Sequence, residues 1–563
     1  MLKLIVVLTG RIASGKSTLT DELVNRFDFH RFKTNDYIKA LAAGQATNER
    51  GSMQEFGEEL DRKTKGAWVS DGLLRFSQTL PKDGNEPLIV VDAVRIEEQI
   101  EALRDGFGSR VVHIHLTASE KELEKRFKKR KAKRKGESLT FQQASQNPTE
   151  SKVEELADVA DIVINTEYST EEDVVVRAAA HLGLYGREYS RLVDVLVGGQ
   201  YGSEGKGHIA SYLANEYDIL VRVGGPNAGH KVYYPKYTFH QIPSGANTNT
   251  QAKLLIGPGA VIDFQKLLQE IGECEIDHER LAVDPQVMII EHEDVEFEKS
   301  LIADIASTGQ GVGVATARRV IGRGGYATKN NSGSPKSHRS KKPLISKGLA
   351  TVRLAKDVKE LKPFVRETYK EIERAFSKNK KIFIEGTQGT ALSLYHGFYP
   401  HVTSRDTTIA GCLAESGISP SRVRKVVMVC RTFPIRVGNA PKSGKTSGPM
   451  SREISLKEIA RRSGYKLSKL QSTERTSTTN RERRIAEFDW SLIRKAATLN
   501  APTDIALTFA DYIDAKNENA RRFEQLTDET IQFIQELERV VAAPVSLIST
   551  RFHTRSIIDR RSW

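Results

Sequence analysis

The chain has 563 residues, 39% hydrophobic and 28% charged, with a formal charge of +13. That length exceeds what one hydrophobic core supports and calls for at least two domains. No apolar run approaches the roughly 18 residues that span a bilayer, so no membrane partner is expected. Cys274, Cys412 and Cys430 lie far apart, which excludes a disulfide framework or a cysteine zinc site and fits a reducing, cytoplasmic setting. The excess of Lys and Arg favours anionic ligands.

Leu4–Leu8 predicts a buried strand, not a signal peptide, because it runs straight into a glycine turn. That turn, Gly10-Arg11-Ile12-Ala13-Ser14-Gly15-Lys16-Ser17, matches G-x4-G-K-[ST] without departure. Gly10 and Gly15 let backbone amides curl around phosphate oxygens, and a following helix adds positive potential. Lys16 is expected to reach the β- and γ-phosphates and Ser17 to hold Mg²⁺, with Thr18 completing the phosphate-binding set. Leu88–Val91, Val111–Leu116 and Asp161–Asn165 predict further strands of a doubly wound domain. Asp92 ends one of them, placed to meet the magnesium shell, and Arg95 follows. Asp36 is expected near an acceptor. Arg126 and Arg130, four apart, open the basic run Lys125–Lys135. A solvated helix or a nucleic-acid patch would also explain that run; its position favours a lid over a triphosphate. Only Phe127 interleaves it, so nucleic acid is not an expected partner. The P-loop, Asp92-x-x-Arg95 and the basic run resemble the P-loop nucleoside and deoxynucleoside monophosphate kinases over roughly residues 1–185. The acceptor stays open.

Leu192–Val197 starts a second α/β region. Leu220–Val223, Leu254–Ile256, Val287–Ile290, Ile382–Ile384, Val426–Val429 and Ile505–Phe509 predict its other strands. Gly322–Pro343 and Gly438–Arg452, rich in Gly, Ser, Pro and Lys, predict long loops of the kind that close over ligands. The segment Gly198–Gly207 imitates a P-loop but fails its spacing. Gln200 stands where the first glycine belongs, and Gly207 stands at the Ser/Thr position. Its glycines, its lysine and a following helix still suit phosphate.

Seven ordered segments of residues 192–563 resemble the adenylosuccinate synthetase superfamily. They are Gly202-Ser203-Glu204-Gly205-Lys206-Gly207, Asn227-Ala228-Gly229-His230, His240-Gln241-Ile242-Pro243-Ser244-Gly245, Ser307-Thr308-Gly309-Gln310-Gly311, Glu385-Gly386-Thr387-Gln388-Gly389, Tyr399-Pro400-His401-Val402-Thr403-Ser404 and Ile435-Arg436-Val437-Gly438. The resemblance implies an α/β fold of two P-loop-like doubly wound domains with mostly parallel sheets, residues 1–187 and 191–563. It implies Mg²⁺, a nucleoside triphosphate, L-aspartate and a purine nucleotide as ligands. Lys206 and the loop residues Gly202, Glu204, Gly205 and Gly207 would hold the donor, and Asp511 its base. His230 would be the acid, with Ser203 and Gln388 beside it. The Gly229 carbonyl, with Ser203, would ligate Mg²⁺. Asn227, Thr308, Gln388 and Thr403 would hold the acceptor. Thr478, Thr479, Arg481, Arg483 and Arg484 would hold aspartate, with Arg484 clamping its carboxylates. The family forms homodimers in which an arginine crosses into the neighbouring site; ungapped, that position is Gly322, with Arg323 adjacent.

Four departures bear on substrate. Ser203 replaces a catalytic aspartate, and a hydroxyl is a far weaker base. A shorter neutral side chain leaves room for the 2-amino group of guanine. Thr403-Ser404-Arg405-Asp406 carries Arg-Asp where ordinary synthetases have Ser-Asn, and resembles the phage-type 2-aminodeoxyadenylosuccinate synthases, as does Ser307–Gly311. Glu482 replaces an arginine that contacts the ribose, which fits a deoxyribose. Thr508-Phe509-Ala510-Asp511 lacks the lysine of the guanine-reading T-K-L-D, and Ser549-Thr550-Arg551-Phe552 replaces S-T-G-P, so ATP or dATP joins GTP as candidate donor. The expected activity is ligation of aspartate to dGMP, fused to a nucleoside monophosphate kinase. An IMP-using synthetase and a catalytically silent nucleotide sensor remain the alternatives.

Overall fold

The computed structural model describes residues 2–41, 50–81, 86–92, 94–133, 140–145, 148–185, 190–305, 307–322, 352–440, 445–474 and 483–563. The chain divides into two compact units, Met1–Arg187 and Glu188–Trp563. Among the described residues, no helix is long and apolar enough to cross a membrane.

The first unit is built on a five-stranded parallel sheet. Its order is His30–Lys33, Leu88–Asp92, Leu4–Thr9, Val111–Thr117 and Ile162–Asn165. Successive side chains of a strand point to opposite faces. Ile5, Val7, Ile89 and Val91 therefore enter one core, while Val6, Leu8, Val90 and Ile114 enter the other. Both faces are covered, which is why these strands read as continuous apolar runs. The edge strand His30-Arg31-Phe32-Lys33 escapes that reading because three of its four side chains are basic.

The second unit carries nine strands in one sheet. Their order is Leu281–Val283, Lys253–Ile256, Ile219–Arg222, Ile382–Glu385, Val193–Gly198, Val423–Arg431, Asp504–Thr508, Val545–Ser549 and Ile557–Asp559. All neighbours pair in parallel except the last pair. Val193, Val195 and Val197 pack below the sheet in one core with Ile382 and Ile384; Leu196 packs above it with Leu220 and Phe383. The expected strand Val287–Ile290 shrinks to Met288–Ile289 and leaves the main sheet, pairing with Val261–Ile262 in a separate ladder. A short apolar segment cannot reveal which sheet it joins. Leu281–Val283 and Val545–Ser549 were not anticipated, since the first is three residues long and the second follows Pro544 directly.

Ligands of open parallel sheets bind beyond the carboxyl ends of the strands. In this sheet those ends are Arg222, Glu385, Gly198, Arg431, Thr508 and Ser549. Five of the six are polar or charged, and they stand around one space. A second small antiparallel sheet, Ile435–Val437, Arg483–Ala486 and Glu453–Ile454, closes one side of that space.

Candidate functional site

In the first unit the turn after Leu4–Thr9 needs its glycines. Gly10 has φ +136°, and a Cβ there would lie 2.3 Å from the Leu116 carbonyl oxygen. Gly15 has φ +106° and caps the helix Lys16–Phe27. The Lys16 ammonium donates to the carbonyls of Gly10 and of Arg11, the latter at 3.0 Å, so it lies within the curl of its own loop. Ser17 is exposed and Thr18 half-buried on the first helical turn. Arg126 donates to the Thr166 hydroxyl at 2.9 Å and carbonyl at 2.7 Å, and Thr166 reaches the Ser14 carbonyl at 3.4 Å. The basic helix Glu120–Lys133 is thereby coupled to the loop, with Arg130 stacked on Phe127 at 5.3 Å. The Asp92 carboxylate pairs with Arg31 at 2.5 Å, and the Arg95 backbone amide donates to Gln99 at 3.0 Å. Asp36 is exposed on the first turn of Thr34–Leu41.

The second unit holds a cleft of about 1260 Å³, larger than the ~300–1,000 Å³ typical for one ligand. Tyr201, Ser203, Lys206, Asn227, Gly229 and His230 line it, opposite Thr308, Gln388, Thr403, Arg483 and Asp511. The structure therefore gathers into one cavity residues from Tyr201 to Asp511.

Its foundation is Glu385. Glu385 and Arg222 end neighbouring parallel strands and are matched in register. The Arg222 guanidinium donates to Glu385 Oε1 at 2.8 Å. His230 Nδ1 meets the same oxygen, and the Ser244 hydroxyl donates to it too. The Ser244 amide donates to Oε2 at 2.7 Å. Burial opposes the charge on Glu385, but Arg222 and His230 hold its carboxyl down to about 2. Burial and then Arg222 push the His230 imidazole down to about 3. Nδ1 also lies 2.7 Å from the Arg222 guanidinium. Burial and Arg222 favour the neutral imidazole; with its proton on Nδ1 it donates to the carboxylate, and the buried Nε2 has no hydrogen-bond partner among the described residues. Glu385, Arg222 and Ser244 had no assigned role in the sequence. The usable signal was a single charged residue closing an apolar strand, as in Ile219-Leu220-Val221-Arg222 and Ile382-Phe383-Ile384-Glu385.

The loop Gly198–Gly207 follows the central strand and ends at the helix Lys206–Leu213, capped by Gly205 at φ +88°. Lys206 is buried; its ammonium donates to Glu204 Oε2 at 2.7 Å and to the Gly202 carbonyl at 3.1 Å. Glu204 was expected to touch the donor nucleotide. Instead its Oε1 accepts the amides of Gln200 at 3.0 Å and Gly202 at 2.7 Å, so it braces the loop from inside and does not line the cleft. Gly207 has a steric reason: a Cβ would lie 2.7 Å from the Cβ of His230. A Ser or Thr at that position would drive the helix away from the histidine.

Gln388 has φ +58° and donates to Asn227 Oδ1 at 3.0 Å. Its own Oε1 accepts from Thr387 at 2.9 Å and from Arg405 at 3.4 Å. Arg405 is buried against Glu415, and Asp406 caps Thr408 through its amide at 3.1 Å. Arg405 thus supports Gln388 from beneath while Asp406 holds Ser393 and Thr408, and neither lines the cleft.

The two arginines of Arg483–Ala486 exchange roles relative to expectation. Adjacent strand residues face opposite ways. Arg483 lines the cleft beside Val437, its cross-strand partner. Arg484 turns away into a bidentate pair with Glu453 at 2.5 and 2.9 Å, and also donates to the Gly448 carbonyl at 2.7 Å. Arg484 is therefore a structural clasp on the 446–448 segment, and Arg483 with Arg436 supplies the cationic wall. Thr478, Thr479, Arg481, Glu482 and Arg323 lie outside the described residues, as does most of Gly322–Pro343.

Among the described residues no group of three or more His, Cys, Asp or Glu side chains is placed to hold a metal ion. Gly229 and Ser203 line the cleft, and a backbone carbonyl and a hydroxyl are neutral oxygen donors. Such a donor set fits Mg²⁺ that arrives on a triphosphate rather than a resident ion, since Mg²⁺ is commonly held by few protein ligands plus phosphates.

A glycine loop with a buried lysine, at the head of a parallel sheet and facing a histidine held by a carboxylate, defines a nucleotide-dependent α/β enzyme. The family profile described as adenylosuccinate synthetase matches residues 195–519, and the chain belongs to that family. The adenylosuccinate synthetase of Methanocaldococcus jannaschii is 36% identical over 378 residues, covering 65% of this chain and 96% of that protein. That of Pyrococcus horikoshii is 34% identical over 377 residues, covering 65% and 98%. Fully ligated adenylosuccinate synthetase from Plasmodium falciparum has a similar fold, with TM-score 0.53 and 20% identity over 66% of this chain and 100% of its own. The cyanophage S-2L succinoaminodeoxyadenylate synthetase, solved with dGMP and with dATP as energy donor, has TM-score 0.50 and 25% identity over 66% and 96%. Residues 5–154 match a profile described as an AAA domain, consistent with a kinase-like P-loop unit.

One prediction tests the carboxylate. Glu385→Gln leaves Arg222 buried without its counter-ion, a loss of about 3–5 kcal/mol. Urea denaturation followed by circular dichroism should show that loss, and ligation should fall at least tenfold. A variant as stable and active as the parent would show that Glu385 does not organise the site.

Proposed function

We propose that the second unit joins L-aspartate to C6 of dGMP, giving N6-succino-2-amino-2'-deoxyadenylate, nucleoside diphosphate and phosphate. The observation that carries this reading is Ser203, which lines the cleft together with His230, Asn227 and Gln388. A carboxylate at that position would crowd and repel nothing in hypoxanthine, but would meet the extra amino group of guanine. The cyanophage enzyme, solved with dGMP and dATP, supports the same acceptor.

By the family's chemistry, the purine 6-oxygen attacks the γ-phosphate and the aspartate amine then displaces phosphate from C6. Asn227 and Gln388, bonded to each other at 3.0 Å, present amide groups to the acceptor base. Thr308 and Thr403 serve the acceptor nucleotide, with Arg323 as the candidate crossing arginine of a homodimer. Exposed Tyr395 and Tyr399 beside the cleft supply apolar surface for such a dimer. Lys206 and the amides of Gly202, Gly205 and Gly207 hold the donor phosphates. Phosphoryl oxygens near His230 raise its affinity for a proton, since an adjacent anion favours the imidazolium. Nε2 then donates to those oxygens while Nδ1–H stays on Glu385. Gly229 and Ser203 would hold Mg²⁺ together with the triphosphate, and the ion would supply neutralisation of the phosphate charge. Arg483, with Thr478, Thr479 and Arg481, binds the aspartate carboxylates. The first unit acts as a nucleoside monophosphate kinase, with Gly10, Gly15, Lys16, Ser17 and Thr18 on the donor phosphates and Arg126 and Arg130 as clamps. The names of the curated relatives favour a second reading, in which IMP is the acceptor and adenylosuccinate the product.

Incubation with aspartate, Mg²⁺ and ATP or GTP, offering dGMP, GMP or IMP in turn, separates these readings by product mass. A succino adduct with dGMP is expected, and Ser203→Asp should shift preference toward IMP by at least tenfold. An adduct with IMP alone would overturn the acceptor assignment, and none with any acceptor would favour a sensor. The arginine exchange makes its own prediction. Arg483→Ala should raise the aspartate KM about tenfold or more, while Arg484→Ala should chiefly lower Tm. The reverse pattern in steady-state kinetics and melting would return the clamp to Arg484.

A further inference from the structure

Asp511 sits on the short helical turn Ala510–Tyr512 in the cleft wall and is only 6% exposed. Its Oδ2 accepts from the Tyr465 hydroxyl at 2.9 Å. Its Oδ1 is buried without a hydrogen bond to another residue among those described. The cations of this corner belong to a different acid: Glu518 pairs with Lys469 at 2.8 Å and with Arg551 at 3.7 Å. Among the described residues Asp511 is thus a buried carboxyl in the cleft wall with no ion-pair partner of its own. Burial pushes it up to about 7; Glu518 adds to the rise, while the Tyr465 hydrogen bond and Lys469 oppose it.

The two forms of a carboxyl present different patterns. A carboxylate is two acceptors; an acid is one acceptor and one donor. The Watson–Crick edge of guanine offers two N–H donors, at N1 and the 2-amino group. That of adenine offers one donor, the 6-amino group, and one acceptor, N1. Both pairings share N1: the ionised side chain takes N1–H and the 2-amino group of guanine, and the protonated one takes N1 and the 6-amino group of adenine, with the base shifted in its own plane.

We propose that Asp511 selects the donor base through its proton, taking an adenine nucleoside triphosphate as the acid and a guanine one as the carboxylate, so that donor preference inverts with pH. This rests on the reading above that this end of the cleft holds the donor. Phe509 fits it: where the family has a lysine, the chain places an aromatic ring stacked on Arg431 at 3.8 Å, and that cation is taken up by Glu474 at 2.8 Å. Among the described residues, then, the cations near Asp511 are paired to other acids, Arg431 to Glu474 and Lys469 to Glu518.

The test uses the full chain with Lys16→Ala, which silences the first unit's loop. Calorimetric affinities for Mg-ATP and Mg-GTP are measured from pH 6 to pH 8, alongside kcat/KM for ligation. The acid-to-carboxylate ratio of a group titrating near 7 changes by about 100-fold over that range. The ratio of GTP to ATP affinity should rise with pH by up to that factor. Titration of the γ-phosphate is common to both donors and cancels. Asp511→Asn is a permanent analogue of the acid, with one acceptor and one donor group. It should keep ATP affinity within a few-fold, lose GTP, and abolish the pH dependence of the ratio. Tyr465→Phe, which removes the hydrogen bond that favours the carboxylate, should move the crossover to higher pH.

Folding is checked in the same series. The folded-state carboxyl titrates above its unfolded value, so the native state holds an extra proton between about pH 4 and pH 7 and loses stability as pH rises through that range. Asp511→Asn should therefore raise Tm relative to the parent more at pH 8 than at pH 4. A parent GTP-to-ATP ratio that does not change with pH, or Asp511→Asn retaining GTP, would overturn the proposal. Failure to form any succino adduct would instead remove the proposed ligation while the affinities still decide the role of Asp511.

Discussion

A single buried carboxylate organises the second unit. Glu385 receives Arg222 from the neighbouring strand, the Ser244 amide and hydroxyl from one motif, and His230 from another. An ion pair in this environment is strong evidence of constraint rather than of net stability, because removing either partner strands a buried charge. The consequence is geometric. Residues 222–244 are tied to the distant strand Ile382–Glu385 and cannot move independently of it, and His230 Nε2 is left where no described residue meets it. The histidine is poised without being charged.

The phosphate loop obeys the same economy. Its lysine is already paired with Glu204, and Glu204 is already committed to two loop amides. The cradle is preformed rather than assembled on binding, which limits the ordering that a ligand must impose. Gly207 lets the helix Lys206–Leu213 touch the backbone of His230, so loop and histidine form one packed body. The departure from the P-loop pattern at this position is thus a packing requirement. In the first unit, by contrast, Gly10 serves the loop's contact with the Leu116 carbonyl, and the standard pattern is kept.

Much of this was legible in the sequence. Both sheets announced themselves through apolar runs, and the ordered motifs brought Ser203, Lys206, His230 and Gln388 to one cleft. What escaped had a physical reason. The edge strand His30–Lys33 is too basic to read as buried, and the three-residue strand Leu281–Val283 is too short to carry a period. Glu204, Arg405 and Arg484 carry charges that suggest ligand contact, yet each is neutralised by a protein partner: Lys206 in the same loop, Glu415 on the following helix and Glu453 on a neighbouring strand. Whether a charged residue faces a ligand or a partner depends on tertiary pairing, which local sequence does not encode. The alternation along Arg483-Arg484 was readable in principle, but only once a strand, rather than a loop, was assigned there.

The central claim is that burial and Arg222 hold His230 neutral against the pull of Glu385, with Nδ1 protonated and Nε2 bare, until phosphoryl charge arrives. Nitrogen-15 NMR of the full chain with labelled histidine, assigned by comparison with His230→Asn, reads this directly. At pH 7 without nucleotide, the His230 spectrum should show one protonated and one unprotonated nitrogen, and Nε2 should gain a proton when Mg-nucleotide and acceptor are added. An imidazolium already present in the free protein would contradict the account.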